Sequence, residues 1–239
     1  MREGVYGIVT MLFFDACTLE GKSFRVFYFH QKGAFFLMTQ ASKRTHHLAV
    51  AAMLSAVAAV LQFVEFSIPL IPSFVKLDLS DLPALLGTFS LGPVYGVVIQ
   101  LVKNLLHLPF GSSAGVGELS NFILGGVFVL CAGLVYRKHK TRKGAFLGSL
   151  LGSFLMAAVS IVSNYFFVYP AYVVLYHMPL DAIIGMYQAI LGSIAQVPTD
   201  NALLNCLLVF NVPFTFCKGL LNVGLCFLIY KPLSPLLHK

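Results

Sequence analysis

The seven residues RKHKTRK, 137–143, hold five of the sixteen lysines and arginines of the chain and stand between two long apolar runs. A short loop of this composition belongs on the cytoplasmic face, because lysine and arginine beside membrane segments bias orientation toward positive-inside. The runs on either side set the class. Hydrophobic residues make up 58% of the chain and charged residues 10%, with a mean hydropathy of +0.85, against roughly 45–50% apolar usage in soluble domains. About 20 apolar residues at 1.5 Å rise cross a hydrocarbon core of roughly 30 Å, so the chain reads as an all-α integral membrane protein. The net charge of +7 is concentrated at such loops and gives no polar face for nucleic acid. The five cysteines, at 17, 131, 206, 217 and 226, form no C-x-x-C pair and read as packing residues.

With that loop inside, the neighbouring segments thread outward from it. Residues 119–136 descend into the loop and 144–168 rise from it, ending at Tyr169-Pro170. Further upstream, HHLAVAAMLSAVAAVLQFVEF (46–66) leaves the cytoplasm, DLPALLGTFSLG (81–92) returns to a Gly92-Pro93 turn, and VYGVVIQLVKNLLHLPF (94–110) goes out again to the outer loop GSSAGVGE. Proline suits the first turn of a helix and not its interior. Residues 209–230 come back in, giving a six-helix bundle with N- and C-termini in the cytoplasm. Two segments strain this count. Residues 81–92 are short for a crossing, and DAIIGMYQAILGSIA (181–195) has helical periodicity over too short a length, so 171–208 is expected to be an outer, partly helical excursion. Residues 1–40 mix charges and aromatics without period. They read as an N-terminal extension outside the fold, with Met38 a plausible natural start, and 41–239 as one membrane domain.

Polar residues inside apolar helices are costly and therefore informative. Lys218 lies in the middle of the last helix, where a cavity role competes with pairing to a carboxylate or snorkelling to the headgroups. Asn164 sits among aromatics in VSNYFFVYP, and Lys103, Asn104 and His107 lie in QLVKNLLHL with 103 and 107 one turn apart; interhelix bonding and ligand contact are equally open for these. Charges also crowd PSFVKLDLSDLP (72–83), which places Lys76, Asp78 and Asp81 beside Phe74 and Leu77 on a proline-stiffened loop. Such a loop can cap a pocket with a few placed polar groups, or Asp81 can simply cap the helix that follows. Small residues recur as Ala49, Ala52, Ala56 and Ala59 in the first helix and as Gly144, Gly148 and Gly152 in the fifth. Either stripe permits close helix approach; the glycines are expected to pack internally, while the alanine face is left between internal packing and a partner. No H-E-x-x-H, G-x-S-x-G or Walker A motif and no repeated aspartate cluster is present.

The ordered strings FVEFSIP (63–69), PSFVKLDLSDLPALLGTFSLGPVYG (72–96) and QLVKNLLHL (100–108) resemble the riboflavin-specific substrate-binding component of energy-coupling factor (ECF) transporters, with likeness extending over about 46–230. The resemblance implies a six-helix bacterial plasma-membrane protein that captures riboflavin from outside, with riboflavin against its phosphate left open for this chain. It also implies a transmembrane coupling subunit, a pair of ATPases and no resident cofactor or metal, the flavin being cargo. Phe74, Lys76, Leu77, Asp78, Asn104, Asn164, Thr215 and Lys218 become candidate ligand contacts, with 67–80 as a lid. Ala49, Ala52, Ala56 and Ala59 become the docking face, Ala52-x-x-x-Ala56 matching the family's small-xxx-small motif. One departure stands out: the family pattern resembles P-F-N-x-x-K-G, whereas residues 213–219 read PFTFCKG, so Thr215 occupies an asparagine's place. An alternative of another class is a self-sufficient proton-coupled carrier titrating Glu65 or Asp78, and a third is a membrane enzyme acting on a small lipid or isoprenoid.

Overall fold

The computed structural model describes residues 44–67, 76–111, 113–177, 179–191 and 201–237. The extension expected over 1–40 lies outside them, as does Phe74. From Ala49 onward the chain forms one unit.

Seven helices are described where six were expected. Helix α1 spans Arg44–Phe63, and a two-residue antiparallel ladder, β1 (Phe66–Ser67) with β2 (Lys76–Leu77), pairs Phe66 with Leu77 and Ser67 with Lys76. Then come α2 (Asp81–Leu91), α3 (Pro93–His107) with a 3₁₀ turn at Leu108–Phe110, and α4 (Val116–Lys138). Helix α5 runs from Arg142 to Tyr176, α6 is Leu180–Leu191, and α7 runs from Ala202 to Leu237. Helices α1, α4, α5 and α7 are long and apolar enough to cross a membrane.

The basic stretch earns its turn by local chemistry. Arg137 and Lys138 occupy the last turn of α4, where they complement the helix dipole. Thr141 then caps α5, its Oγ1 accepting the Gly144 N–H at 3.0 Å. A Cβ at Gly144 would lie 2.1 Å from the His139 carbonyl oxygen, so the turn closes only with glycine there. Gly148 and Gly152 continue the approach of α5 to α4, since a Cβ would meet the Ala132 oxygen at 2.9 Å and the Phe128 oxygen at 2.6 Å. The glycine stripe therefore packs internally, as expected.

Helix α2 resolves the short second segment. Every residue from Asp81 to Phe89 is buried, and the helix lies against α3, α4 and α7, with Leu54 of α1 reaching Gly87. A helix apolar all round belongs inside a bundle; its 11 residues at 1.5 Å rise give about 16 Å, a central post rather than a full span. Gly92, at φ 112°, makes the reversal, and Pro93 starts α3.

Helix α5 departs furthest from expectation, because it continues through Pro170, where it was expected to end; α7 continues through Pro213, as expected, but begins at Ala202 rather than at 209. In both, one widened π turn precedes the proline: Asn164–Val168, closed by Tyr169 N–H on the Asn164 carbonyl, before Pro170; and Leu207–Asn211, closed by Val212 N–H on the Leu207 carbonyl, before Pro213. The extra residue relieves the ring clash and the missing donor that would otherwise end the helix. Both widened turns lie beside the principal cavity.

Candidate functional site

Burying the acids of the 76–81 loop requires cations from elsewhere in the chain, since an unpaired buried charge is prohibitive. Lys218 Nζ of α7 donates to Asp78 Oδ2 at 2.8 Å and to Asn121 Oδ1 of α4 at 3.3 Å. Lys103 Nζ of α3 donates to Asp81 Oδ1 at 2.7 Å, beside Gln100 Nε2 on the same oxygen at 2.8 Å. Asp81 Oδ2 stands 3.7 Å from Lys218 Nζ, joining the two pairs. Two lysines thus meet two aspartates with no net charge. Ser80 completes the loop by donating its N–H to Asp78 Oδ1 at 3.0 Å, along with its hydroxyl. Burial alone would raise the Asp78 carboxyl, but the Lys218 and Lys103 ammonium groups more than reverse this and hold it well below the ordinary carboxylate range.

Asp81 does not cap α2, contrary to one expectation. It is the first helical residue, the N-cap position belongs to Ser80 without a side-chain cap bond, and both Asp81 oxygens face lysines.

Above this cluster lies a cavity of about 520 Å³, within the usual range of small-molecule sites. Lys76, Asp78, Asn164, Thr215 and Lys218 line it, from the ladder, the loop, α5 and α7. Leu77 and Asn104, also expected as contacts, fall elsewhere. Leu77 pairs across the ladder with Phe66 and is not among the described lining residues. Asn104 is buried behind the wall: its Oδ1 accepts from Gln62 Nε2 at 3.1 Å and its Nδ2 donates to the Gln100 carbonyl at 2.8 Å. Gln62, which sequence reading overlooked, takes the lining position, and its Oε1 has no partner among the described residues.

His107, open to interhelix bonding or ligand contact from its spacing alone, meets the geometry of both: it lines the cavity and its Nδ1 lies 3.0 Å from Glu118 Oε1. Other lining residues were overlooked, among them Glu118 and Ser113, whose Oγ donates to Glu118 Oε2 at 2.9 Å. Glu118 reads as loop in the sequence, whereas α4 already begins at Val116. Asn121, Tyr169, Tyr172, Asn211 and Phe214 add amides and aromatic faces. The available signal was a polar residue interrupting an apolar helix, as at Gln62, Asn121 and Asn211. At the mouth, Lys76 pairs with Glu65 across the ladder.

On α1, Ala49, Ala52 and Ala56 are exposed together with Met53 and Val60, whereas Ala59 is buried. The alanine face is therefore shorter than expected.

The profile of the family described as ECF transporter, substrate-specific component, matches residues 46–230. The chain is 34% identical over 203 residues to the riboflavin transporter RibU of Staphylococcus aureus, covering 85% of this chain and 96% of that protein. It is 31% identical over 195 residues to the riboflavin transporter FmnP of Bacillus subtilis, covering 80% and 94%. A solved structure, that of the S component of a bacterial ECF transporter, matches with a TM-score of 0.63 at 32% identity over 82% of this chain and 99% of that one. With four membrane-capable helices and a matching profile over most of its length, this multi-pass membrane protein belongs to the ECF transporter substrate-specific component family.

Proposed function

We propose that the chain captures riboflavin from the outer side of a bacterial plasma membrane and delivers it inward as the substrate-binding subunit of an ECF-type transporter. The observation that carries this reading is the cavity of about 520 Å³ whose two described lining lysines are both committed to carboxylates, Lys76 to Glu65 and Lys218 to Asp78. Riboflavin is uncharged, with a flat ring edged by carbonyls and ring nitrogens and a polyhydroxyl chain. Tyr169, Tyr172, Phe110 and Phe214 offer faces for stacking. Gln62, Asn121, Asn164, Asn211 and Thr215 offer donors and acceptors to groups that would otherwise be stranded on burial, and Lys218 can donate only to an oxygen or ring nitrogen. A phosphate ester would meet Glu118 and Glu65 with no uncommitted lysine or arginine in compensation among the described lining residues, so the free vitamin is the better fit.

In this reading, α1 to α5 and α7 form the six-helix bundle with the short α2 at its centre, α6 lies outside, and both termini are cytoplasmic. The ladder and the Asp78 loop close over the bound flavin. Energy comes from separate ATPase and coupling subunits, the latter docking on Ala49, Ala52 and Ala56, whose small side chains are exposed. Titration of flavin-free purified chain with riboflavin, followed by quenching of flavin fluorescence, tests capture directly. Saturation at about one flavin per chain is expected; well-folded protein that does not quench overturns the proposal. Ala52→Leu with Ala56→Leu should abolish uptake by cells and leave that titration unchanged, whereas loss of both would make the face structural.

A further inference from the structure

Helix α6 contributes one residue, Tyr187, to a closed hydrogen-bond ring with two cavity-lining residues. Tyr187 donates its hydroxyl to Asn211 Oδ1 at 2.7 Å, Asn211 Nδ2 donates to the Tyr169 hydroxyl at 3.0 Å, and the two tyrosine hydroxyls are 2.5 Å apart. Each member can give one proton and receive one, so the three bonds run head to tail. All three are buried, at 0% exposed for Tyr187, 1% for Tyr169 and 3% for Asn211. Tyr169 and Asn211 line the cavity, and Tyr187 is not among the described residues that do. Asn211 ends the widened turn of α7 and Tyr169 immediately follows that of α5, so the ring ties together the two places where the helices depart from regular geometry. Tyr187 is further held by Phe210, with ring centroids 5.2 Å apart.

A primary amide has two N–H donors and a carbonyl with two lone pairs. The ring engages one of each and, in either sense in which its three bonds run, holds the amide in one plane at the cavity wall. We propose that Asn211 is a specificity-determining ligand contact and that Tyr187 is the residue that positions it. The second N–H of Asn211 donates to a carbonyl oxygen, ring nitrogen or hydroxyl of the bound molecule. Without the Tyr187 hydroxyl the amide loses its fixed orientation and must be ordered on binding. This rests on the reading of the cavity as a flavin site.

The test is a four-cornered comparison of riboflavin Kd by fluorescence quenching, using purified full-length chain. Asn211→Ala is expected to raise Kd about tenfold and Tyr187→Phe between about twofold and fivefold, the range of a single net hydrogen bond. In the Asn211→Ala background, Tyr187→Phe should add nothing, because its effect passes through the amide. An equal loss in both backgrounds, or a Kd unmoved by Asn211→Ala, overturns the proposal while the flavin reading stands. Wild-type chain that binds no riboflavin overturns both. Where Asn211→Ala does not yield monodisperse protein, Asn211→Ser, which still offers Tyr187 an acceptor, takes its place with the same expected direction.

Discussion

Three ion pairs involve the 76–81 segment, alike in chemistry and different in depth. Lys103 and Asp81 are sealed, with side chains 0% and 1% exposed; Lys218 and Asp78 sit at the cavity edge at 8% each; Lys76 and Glu65 stand at the mouth at 33% and 30%. The three residues contributed by the 76–81 loop thus go to three environments. What differs is where the partner comes from: α3 for Asp81, α7 for Asp78, and the facing strand for Lys76. Depth decides the consequence, because desolvation makes a buried pair indispensable once formed, while solvent screens an exposed one. The sealed pair is a fastening of the core, the edge pair holds a cavity-facing ammonium in place, and the mouth pair tethers a ladder of two residues per strand.

The comparison breaks most visibly at the sealed pair. Asp81→Asn or Lys103→Met strands a buried charge, at a cost of about 3–5 kcal/mol against a total stability of about 5–15 kcal/mol. Neither variant should purify as a monodisperse species in mild detergent. Removing both charges together should recover most of the loss, since a pair deleted whole leaves no orphan. Single variants as heat-resistant as the parent would show that depth is not what separates the pairs.

At the cavity edge the expected loss moves from folding to binding. Lys218→Met leaves Asp78 with the Ser80 N–H and hydroxyl and the field of Lys103, so the chain should fold, while riboflavin Kd rises between about tenfold and a hundredfold, the range of a charge-assisted hydrogen bond. The pH dependence has a definite sign. The Asp78 pKa is lowered on folding, so its contribution is complete above the ordinary carboxylate value of about 3.9 and is lost only as pH falls toward the depressed value. Thermal unfolding in detergent should show no Asp78-dependent change between pH 8 and pH 5, tested by comparing the parent with Asp78→Asn across that range.

The sealed and edge pairs also measure what was legible in the sequence. Lys218 in mid-helix announced itself, because an ammonium deep in an apolar run needs a reason, and Asp78, Asn164 and Thr215 converge with it on one cavity. The Gly92-Pro93 reversal and the basic loop were equally plain, resting on local backbone chemistry. Asp81 was not, because a loop has no period from which to read the direction of a side chain, and its partner lies 22 residues away on α3. Asn104 and Gln62 exchanged places for the same reason: helical spacing gives a face but not the neighbour that occupies it. Pro170 concealed the length of α5, since proline reads as a stop unless one extra residue widens the turn before it.

Thr215 sharpens the edge region from the other side. It lies one turn from Asn211 on α7, and both line the cavity. Thr215→Asn would lengthen the side chain and add a donor, but Asn211 already brings an amide to that face. The gain in riboflavin affinity should therefore be modest, between about twofold and fivefold for one net hydrogen bond. An affinity that falls would mean that this cavity is shaped around the shorter hydroxyl.

The mouth pair should respond least. Exposed ion pairs contribute about 0–1 kcal/mol and weaken with salt, so Glu65→Gln or Lys76→Met should shift riboflavin Kd by less than about fivefold and leave thermal unfolding unchanged. Any effect should appear in the dissociation rate, since the pair joins the two strands of the ladder, and it should vanish for the parent protein in about 1 M salt, where the Debye length is about 3 Å. Stopped-flow measurement of flavin release at low and high salt separates the cases. A large, salt-insensitive acceleration would place Glu65 and Lys76 with the edge pair, in a state of the loop that buries them more deeply.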